Sequence, residues 1–166
     1  MMNTSQPDPF PGRVMALDLG EKRIGVALSD ETRTLARSYA VIQRSSRQAD
    51  FAQMATIAAA QGVTLLVVGL PVPLDGQEGA LAAWVRDYAA DLAHHLQLEY
   101  LLWDESFTTR QASQSMRERG QRAHQQRGRV DAVAAAFLLQ DYLDSLARSP
   151  AGQPSGDPAA TPSTTA

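Results

Sequence analysis

Carboxylates stand at the ends of two predicted strands and at the start of a predicted helix. Asp18 interrupts the apolar run RVMALDL, the pair Asp104-Glu105 follows another apolar run, and Asp131 begins a long helical pattern. An ionised carboxylate among apolar neighbours is costly unless a metal, an arginine or backbone donors stabilise it. Acids that converge on one edge repel one another unless cations lie between them. Such hard oxygen ligands suit Mg²⁺ or Mn²⁺, and two ions roughly 4 Å apart can drive phosphodiester hydrolysis.

Each acid also has an ordinary structural interpretation. Asp18 is compatible with a turn-forming role at the Gly20 bend, and Asp131 with a favourable position against a helix dipole. Because side chains alternate along a strand, only one of Asp104 and Glu105 can face a site. The sequence offers no competing set: it has no cysteine, its three histidines lack metal-ligand spacing, and no Ser-His-Asp arrangement is recognisable.

Basic residues accompany the acids. The formal net charge is −3, yet the segment from residue 106 to residue 130 contains six arginines and one glutamate. Such a segment either contacts a nucleic-acid backbone, with salt-dependent affinity, or is a solvated helix face with a polar loop. Lys22 and Arg23 follow the Gly20 bend, where they are placed for phosphate contact or are ordinary turn residues. We expect nucleic-acid contacts from Lys22, Arg23, Thr108, Arg119, Arg122, Arg127 and Arg129.

These side chains need a fold that brings them to one edge. The pattern predicts strands at 13–19, 24–30 and within 33–43, a helix at 47–61 capped by Gly62, a strand at 63–70, a helix at 78–96, a strand at 98–103, a helix from 108 or 109 to 119, a polar loop at 120–128, and a helix at 130–146. An antiparallel meander followed by βαβ crossovers implies an α/β fold with a mixed five-stranded sheet flanked by helices. Sites in open sheets lie beyond the carboxyl ends of parallel strands, where Asp18 and the Asp104-Glu105 pair should meet.

Length and composition predict one folded domain with flexible ends. The chain has 166 residues, of which 44% are apolar and 20% charged, as in globular proteins. Residues 1–12 are expected to be a flexible lead, residues 13–148 the folded domain, and residues 149–166 a disordered tail rich in proline, serine, threonine and alanine. No apolar run approaches the roughly 20 residues of a membrane span, and no signal peptide is recognisable. We therefore expect a soluble cytoplasmic protein that does not enter a membrane.

Four motifs occur in order over residues 13–147: LDLGEKRIGVALSD, VVGLPVPLDGQEG, DESFTTRQA and GRVDAVAAAFLLQDYL. In order and spacing they resemble the YqgF or RuvX family of RNase H-like nucleases, which are related to Holliday junction resolvases. The resemblance implies an RNase H-like fold and catalytic, metal-binding acids at Asp18, Glu105 and Asp131, with Asp104 as a further candidate ligand. It also implies a bacterial cytoplasmic protein that matures the 5′ end of pre-16S rRNA or resolves Holliday junctions.

Two positions depart from the family pattern. Ser106 stands where the family usually has an arginine after the two acids, and Val72-Pro73-Leu74 replaces an asparagine-containing stretch. Both departures affect the expected substrate contacts, while the acids are intact.

Two other functions stay open. A non-catalytic nucleic-acid or ribosome-assembly binding module would use the basic segment without cleavage. The Asp18-x-Gly20 pattern also resembles the first phosphate loop of the sugar-kinase and actin ATPases, although 166 residues leave no room for their second domain. For the nuclease, junction resolution requires two symmetric cuts and so implies a homodimer.

Overall fold

A mixed five-stranded sheet forms the centre of the protein. The computed structural model describes residues 11–71, 79–104 and 123–148, with backbone alone for 123–130. Its elements in chain order are β1 (Arg13–Leu19), β2 (Arg23–Ser29), β3 (Ala36–Gln43), α1 (Arg47–Gln61), β4 (Val63–Leu70), α2 (Ala80–Leu96), β5 (Glu99–Asp104) and α3 (Ala123–Arg148). None of these helices is both long enough and apolar enough to cross a membrane.

The strand order across the sheet is β3-β2-β1-β4-β5. β2 lies antiparallel to both β1 and β3, whereas β4 is parallel to β1 and β5 is parallel to β4. The predicted meander followed by crossovers is confirmed. The carboxyl ends of β1, β4 and β5 consequently share one edge of the sheet.

Helices cover both faces of the sheet. Met15, Leu17 and Leu19 of β1 pack in the core formed with α1 and α2, whereas Val14 and Ala16 pack in the core formed with α3. Because strand side chains alternate, this pattern assigns Asp18 to the α3 face. The apolar run that contains Asp18 thus delivers a carboxylate beneath the last helix.

Local signals fix the bounds of α1. Ser46 caps the helix by accepting a 3.1 Å hydrogen bond from the Ala49 amide, and Gly62 ends it in the left-handed conformation with φ 64°. A glycine adopts that conformation without the cost that a Cβ atom imposes. The predicted helix at 47–61 and its Gly62 cap are confirmed.

The start of the last helix was predicted wrongly. The predicted loop at 120–128 gives way to helix from Ala123, so α3 is 26 residues long. The intervening alanine, glutamines and arginines favour a helix, and the cost of Gly128, roughly 1 kcal/mol, is too small to end one. Asp131 therefore lies inside α3 rather than at its start, which removes the helix-dipole interpretation of this acid. The helix predicted from 108 or 109 to 119 lies outside the described residues.

Candidate functional site

Asp18 lies one residue before the end of β1 and is only partly exposed. Its backbone partner across the antiparallel pair is Gly25 of β2. The neighbouring Leu17 and Leu19 are buried in the opposite core. The carboxylate is therefore held by a strand that packing fixes on both sides.

Gly25 brings α3 onto the sheet beside Asp18. A Cβ atom at this position would overlap the carbonyl oxygen and carbonyl carbon of Asp131. Only glycine allows the helix backbone to come so near. Directly paired strand residues have Cα atoms about 5 Å apart. Because Gly25 is paired with Asp18 and contacts the Asp131 backbone, Asp131 lies close to Asp18. Sequence analysis did not single out Gly25, although a glycine inside a strand signals close backbone approach.

Arg23 pairs with Asp131 in this structure. Its Nε donates a 2.9 Å hydrogen bond to Oδ2 of Asp131, and the two side chains are 28% and 25% exposed. Ser38 of β3 adds a second anchor, because its hydroxyl donates to the carbonyl oxygen of Ala132 at 3.1 Å. We predicted a phosphate contact for Arg23 and missed its acidic partner, which is distant in sequence. The guanidinium neutralises one of the two described acids of the site.

The turn between β1 and β2 presents Lys22 at the same edge. The Gly20 amide donates to the carbonyl oxygen of Arg23 at 2.8 Å and closes the turn. A Cβ atom on Gly20 would come within 2.6 Å of that oxygen, so the tight closure requires glycine. Lys22 is exposed, as a residue that meets a ligand from solvent must be.

Asp104 faces away from Asp18. Strand alternation puts it on the same face of β5 as Tyr100 and Leu102, which pack against the α1–α2 core. Trp103 lies on the other face and packs against α3. The Trp103 indole also donates a 2.9 Å hydrogen bond to Asp141 of α3 and so ties the end of β5 to that helix. Asp104 is exposed at the last position of β5. This placement does not bring Asp104 together with Asp18 and Asp131.

Several predicted site residues fall outside the described part of the chain. They are Glu105, Thr108, Arg119 and Arg122. Arg127 and Arg129 belong to α3, whose side chains are described only from Asp131 onward.

The two described acids have the chemistry of a divalent-ion site. Asp18 and Asp131 offer carboxylate oxygens, which Mg²⁺ and Mn²⁺ prefer. Across residues 11–71, 79–104 and 131–148, no group of three acids or histidines is close enough to hold a metal on its own. Two carboxylates on one face fit part of a site, and a complete one needs a further ligand.

One family model and many known proteins match most of this sequence. A sequence model of RuvX, described as Holliday junction resolvase, matches residues 12–145. A protein of Anaeromyxobacter sp. strain Fw109-5 is 43% identical over 80% of this chain and 96% of its own, and one of Roseiflexus sp. strain RS-1 is 42% identical over 81% and 96%. Both carry the name "Putative pre-16S rRNA nuclease".

Solved structures with the same fold are more distant in sequence. RuvC of T. thermophilus, in complex with a Holliday junction substrate, superposes with a TM-score of 0.53 at 15% identity, over 83% of this chain and 98% of that one. The fowlpox virus resolvase, bound to Holliday junction DNA, gives 0.51 at 10% identity, over 81% and 98%. These two structures identify the fold as that of the RNase H-like resolvases.

The RuvX sequence model spans residues 12–145, and the Anaeromyxobacter and Roseiflexus proteins are 43% and 42% identical to this chain. The chain therefore belongs to the RuvX family.

Proposed function

We propose that this protein is a divalent-metal-dependent endonuclease that hydrolyses phosphodiester bonds in structured nucleic acid. The observation that carries the proposal is the contact between Gly25 and the backbone of Asp131, which brings two carboxylates to one face of the sheet edge. Sites of open α/β sheets lie at this edge. The nuclease and resolvase names of its relatives and family support the same activity.

Asp18 and Asp131 would bind the metal, and Glu105 is the proposed third ligand. Glu105 lies outside the described residues, and in sequence it directly follows Asp104, the last residue of β5. Because β5 is two strand spacings, about 10 Å, from β1, ligands from both strands can surround ions placed between them. Divalent ions bound there would supply an activated water and neutralise charge on the phosphate.

Basic residues of the chain would bind and orient the substrate. Lys22, on the exposed turn, contacts phosphate near the ions, and Arg23 can do so once it leaves Asp131. We further assign phosphate contacts to Thr108, Arg119, Arg122, Arg127 and Arg129. Contacts of this kind fix the register of a nucleic acid and make its binding sensitive to salt.

Two substrates follow from the relatives. The name of the sequence relatives points to the 5′ end of pre-16S rRNA, and the family description points to Holliday junctions. Junction resolution requires a homodimer for two symmetric cuts, whereas trimming of one RNA strand does not. We place the protein in the cytoplasm, where either role would be performed.

The test is cleavage of a labelled four-way DNA junction and a labelled pre-16S rRNA 5′ leader, side by side, with Mg²⁺, Mn²⁺ or excess EDTA. We expect cutting of at least one substrate with either ion and none with EDTA. Symmetric cuts in the junction alone identify a resolvase, and processing of the leader alone identifies an rRNA maturation nuclease. Absence of cutting on both substrates, with both ions, contradicts the proposal.

A non-catalytic binding module is the second candidate. It is favoured by the Arg23–Asp131 ion pair, which satisfies that acid without a metal. A binder of this type would hold the same nucleic acids with equal affinity in Mg²⁺ and in EDTA and would leave them uncut.

A further inference from the structure

Arg44 holds the turn that follows Asp18. It lies between β3 and α1, and its Nη1 donates hydrogen bonds to the carbonyl oxygens of Gly20 at 3.0 Å and Glu21 at 2.8 Å. Its backbone amide donates to the carbonyl oxygen of Lys22 at 2.9 Å. One residue thus binds three consecutive carbonyl groups of the β1–β2 turn. Hydrogen bonds from a charged donor are stronger than those between neutral groups.

The guanidinium of Arg44 is held in turn by aromatic rings of α2. Its central carbon lies 4.5 Å from the centroid of the Trp84 ring and 5.9 Å from that of Tyr88. Tyr88 is 1% exposed and meets the Phe51 ring edge-on at 5.2 Å. Nε of Arg44 is buried and has no hydrogen-bond partner among the described residues. Because Nε donates no hydrogen bond to a described residue, the aromatic rings and the Nη1 hydrogen bonds hold the guanidinium in place.

The clamped turn joins the two strands that carry the candidate site. Asp18 lies just before the turn, and Arg23, the partner of Asp131, begins β2 just after it. The turn is also closed from within by the Gly20 amide. A movement of this turn would act on the ends of β1 and β2, next to Asp18 and at Arg23. Active-site groups need a second set of contacts that keeps them in place before the ligand binds.

We propose that Arg44 is a positioning residue of the metal site, which it preorganises through the turn at Gly20–Lys22. The inference rests on the proposed metal-dependent function. In it, Trp84 and Tyr88 orient the guanidinium, the guanidinium fixes the turn carbonyls, and the turn fixes Asp18 and Arg23. Arg44 touches neither metal nor phosphate.

Arg47 offers a matched control. Its guanidinium also stacks on Tyr88, at 5.0 Å, and its hydrogen bonds go to Asp87 at 3.1 Å and Asp91 at 3.0 Å on α2. An Arg47→Gln variant therefore loses an arginine–aromatic contact and an α1–α2 tie, yet leaves the turn carbonyls bound. A purely structural role for Arg44 predicts that Arg44→Gln and Arg47→Gln behave alike.

The experiment compares Arg44→Gln, Arg44→Lys and Arg47→Gln in the full-length protein. Amide hydrogen exchange over residues 20–23 reports on the turn, and Mn²⁺ calorimetry on the site. We expect faster exchange and about 10-fold weaker Mn²⁺ binding for Arg44→Gln, because outer-shell substitutions cost about 10- to 100-fold in metal affinity. Arg44→Lys keeps one donor and the stacked charge and should lie between this variant and the wild type. Arg47→Gln should leave both readouts at wild-type values.

The two proposals fail in different ways. Unchanged exchange at 20–23 in Arg44→Gln, or an equal change in Arg47→Gln, overturns the role of Arg44 whatever the metal result. A wild-type protein that binds no Mn²⁺ and cuts nothing overturns the metal-dependent function, even if exchange at the turn rises as expected. If Arg44→Gln does not fold, Arg44→Lys against Arg47→Gln decides, and equal exchange in that pair overturns the inference.

Discussion

At the scale of single residues, an arginine and an aspartate form an ion pair at the carboxyl edge of the sheet. Asp131 accepts a hydrogen bond from Arg23, and Asp18 lies on the same face one strand pairing away. A carboxylate that binds Mg²⁺ or Mn²⁺ must exchange such a partner, at least in part, for the ion. In the proposed function, Arg23 would balance the charge of Asp131 before metal binds and would become free for phosphate afterwards.

Replacing Arg23 by glutamine tests this exchange. Without metal, we expect the free energy of unfolding to fall by about 1 kcal/mol, the upper range for a partly exposed pair. With saturating Mn²⁺ the deficit should shrink, because the ion replaces the guanidinium as the partner of Asp131. Urea unfolding with and without Mn²⁺ measures both values.

Arg13→Gln is the control for that experiment. Arg13 and Glu31 form a 3.4 Å pair at the other end of β1, with Glu31 60% exposed. Any effect of this substitution should be the same with and without Mn²⁺. An Arg23→Gln deficit that is equally insensitive to the ion would contradict the exchange.

At the scale of whole elements, the packing of α3 against β2 sets the geometry of the site. Gly25 lets the helix backbone rest on the strand, and Gln140 fixes the helix to β3 by accepting from the Ala36 amide at 2.9 Å and donating to the Thr34 carbonyl oxygen at 3.0 Å. Asp131 is carried by a helix that is anchored at both of these points. The site is therefore as rigid as the packing of α3 on the sheet.

Gly25→Ala should disrupt this contact. The added methyl group meets the backbone of Asp131, which cannot rotate away as a side chain can. We expect a loss of about 3 kcal/mol in the free energy of unfolding, the upper part of the range for overpacking. Nuclease activity should also fall in the protein that remains folded, because α3 moves Asp131 away from Asp18. Thermal unfolding and cleavage rates below the transition measure the two effects.

Gly79→Ala is the matched control for the glycine substitution. Gly79 precedes α2 with φ −85°, and no heavy atom lies within 4 Å of an added Cβ. Its substitution should lower the free energy of unfolding by no more than about 1 kcal/mol, because alanine is a poorer N-cap than glycine but meets no other atom here. Equal behaviour of the two alanine variants would show that the Gly25 contact is unimportant.

Sequence patterns predicted the elements well where the signal is local. Gly20 ends the strand at 13–19, and Gly62 separates the helix at 47–61 from the strand at 63–70. The structure has the same bounds. The start of α3 was missed because Gly128 and the many charged residues resemble a loop, while helix propensity and packing further along the chain outweigh them.

Contacts between distant parts of the chain were not predictable in the same way. The pairing of Arg23 with Asp131 depends on the register of β1 against β2 and on how α3 crosses the sheet. The hydrogen bonds of Arg44 to the turn depend on the same register and on how α2 crosses the sheet. Neither leaves a periodic signal in the sequence. Asp18 and Asp131 were predicted to belong to one cluster of acids, but the role of Gly25 in bringing α3 against β2 became visible only in the fold.

Charge is distributed unevenly over the whole molecule. The net charge is −3, yet six arginines fall between residues 106 and 130. Binding of a polyanion depends on where charges lie more than on their sum. The proposed function therefore predicts salt-sensitive binding by an acidic protein.

Joint substitution of Arg127 and Arg129 by glutamine should weaken nucleic-acid binding evenly across sequences. We expect the slope of log affinity against log salt to decrease in magnitude by roughly 2, about one for each lost phosphate contact. Titration of a labelled four-way junction at several salt concentrations gives the slope. A slope equal to that of the wild type would exclude these two arginines from the interface.

Loss of metal-dependent cleavage in Asp18→Asn tests the central claim most directly. The rate of the wild-type reaction in saturating Mn²⁺ is compared with that of Asp18→Asn and of Glu99→Gln. Glu99 is an exposed acid at the first position of β5, at the end of that strand away from the candidate site. We predict a loss of at least about 100-fold for Asp18→Asn, since substitutions in the outer shell of metal sites already cost about 10- to 100-fold. Its thermal stability should stay near that of the wild type, and Glu99→Gln should cut normally. Cleavage by Asp18→Asn at the wild-type rate would contradict the assignment of this edge of the sheet as the catalytic site.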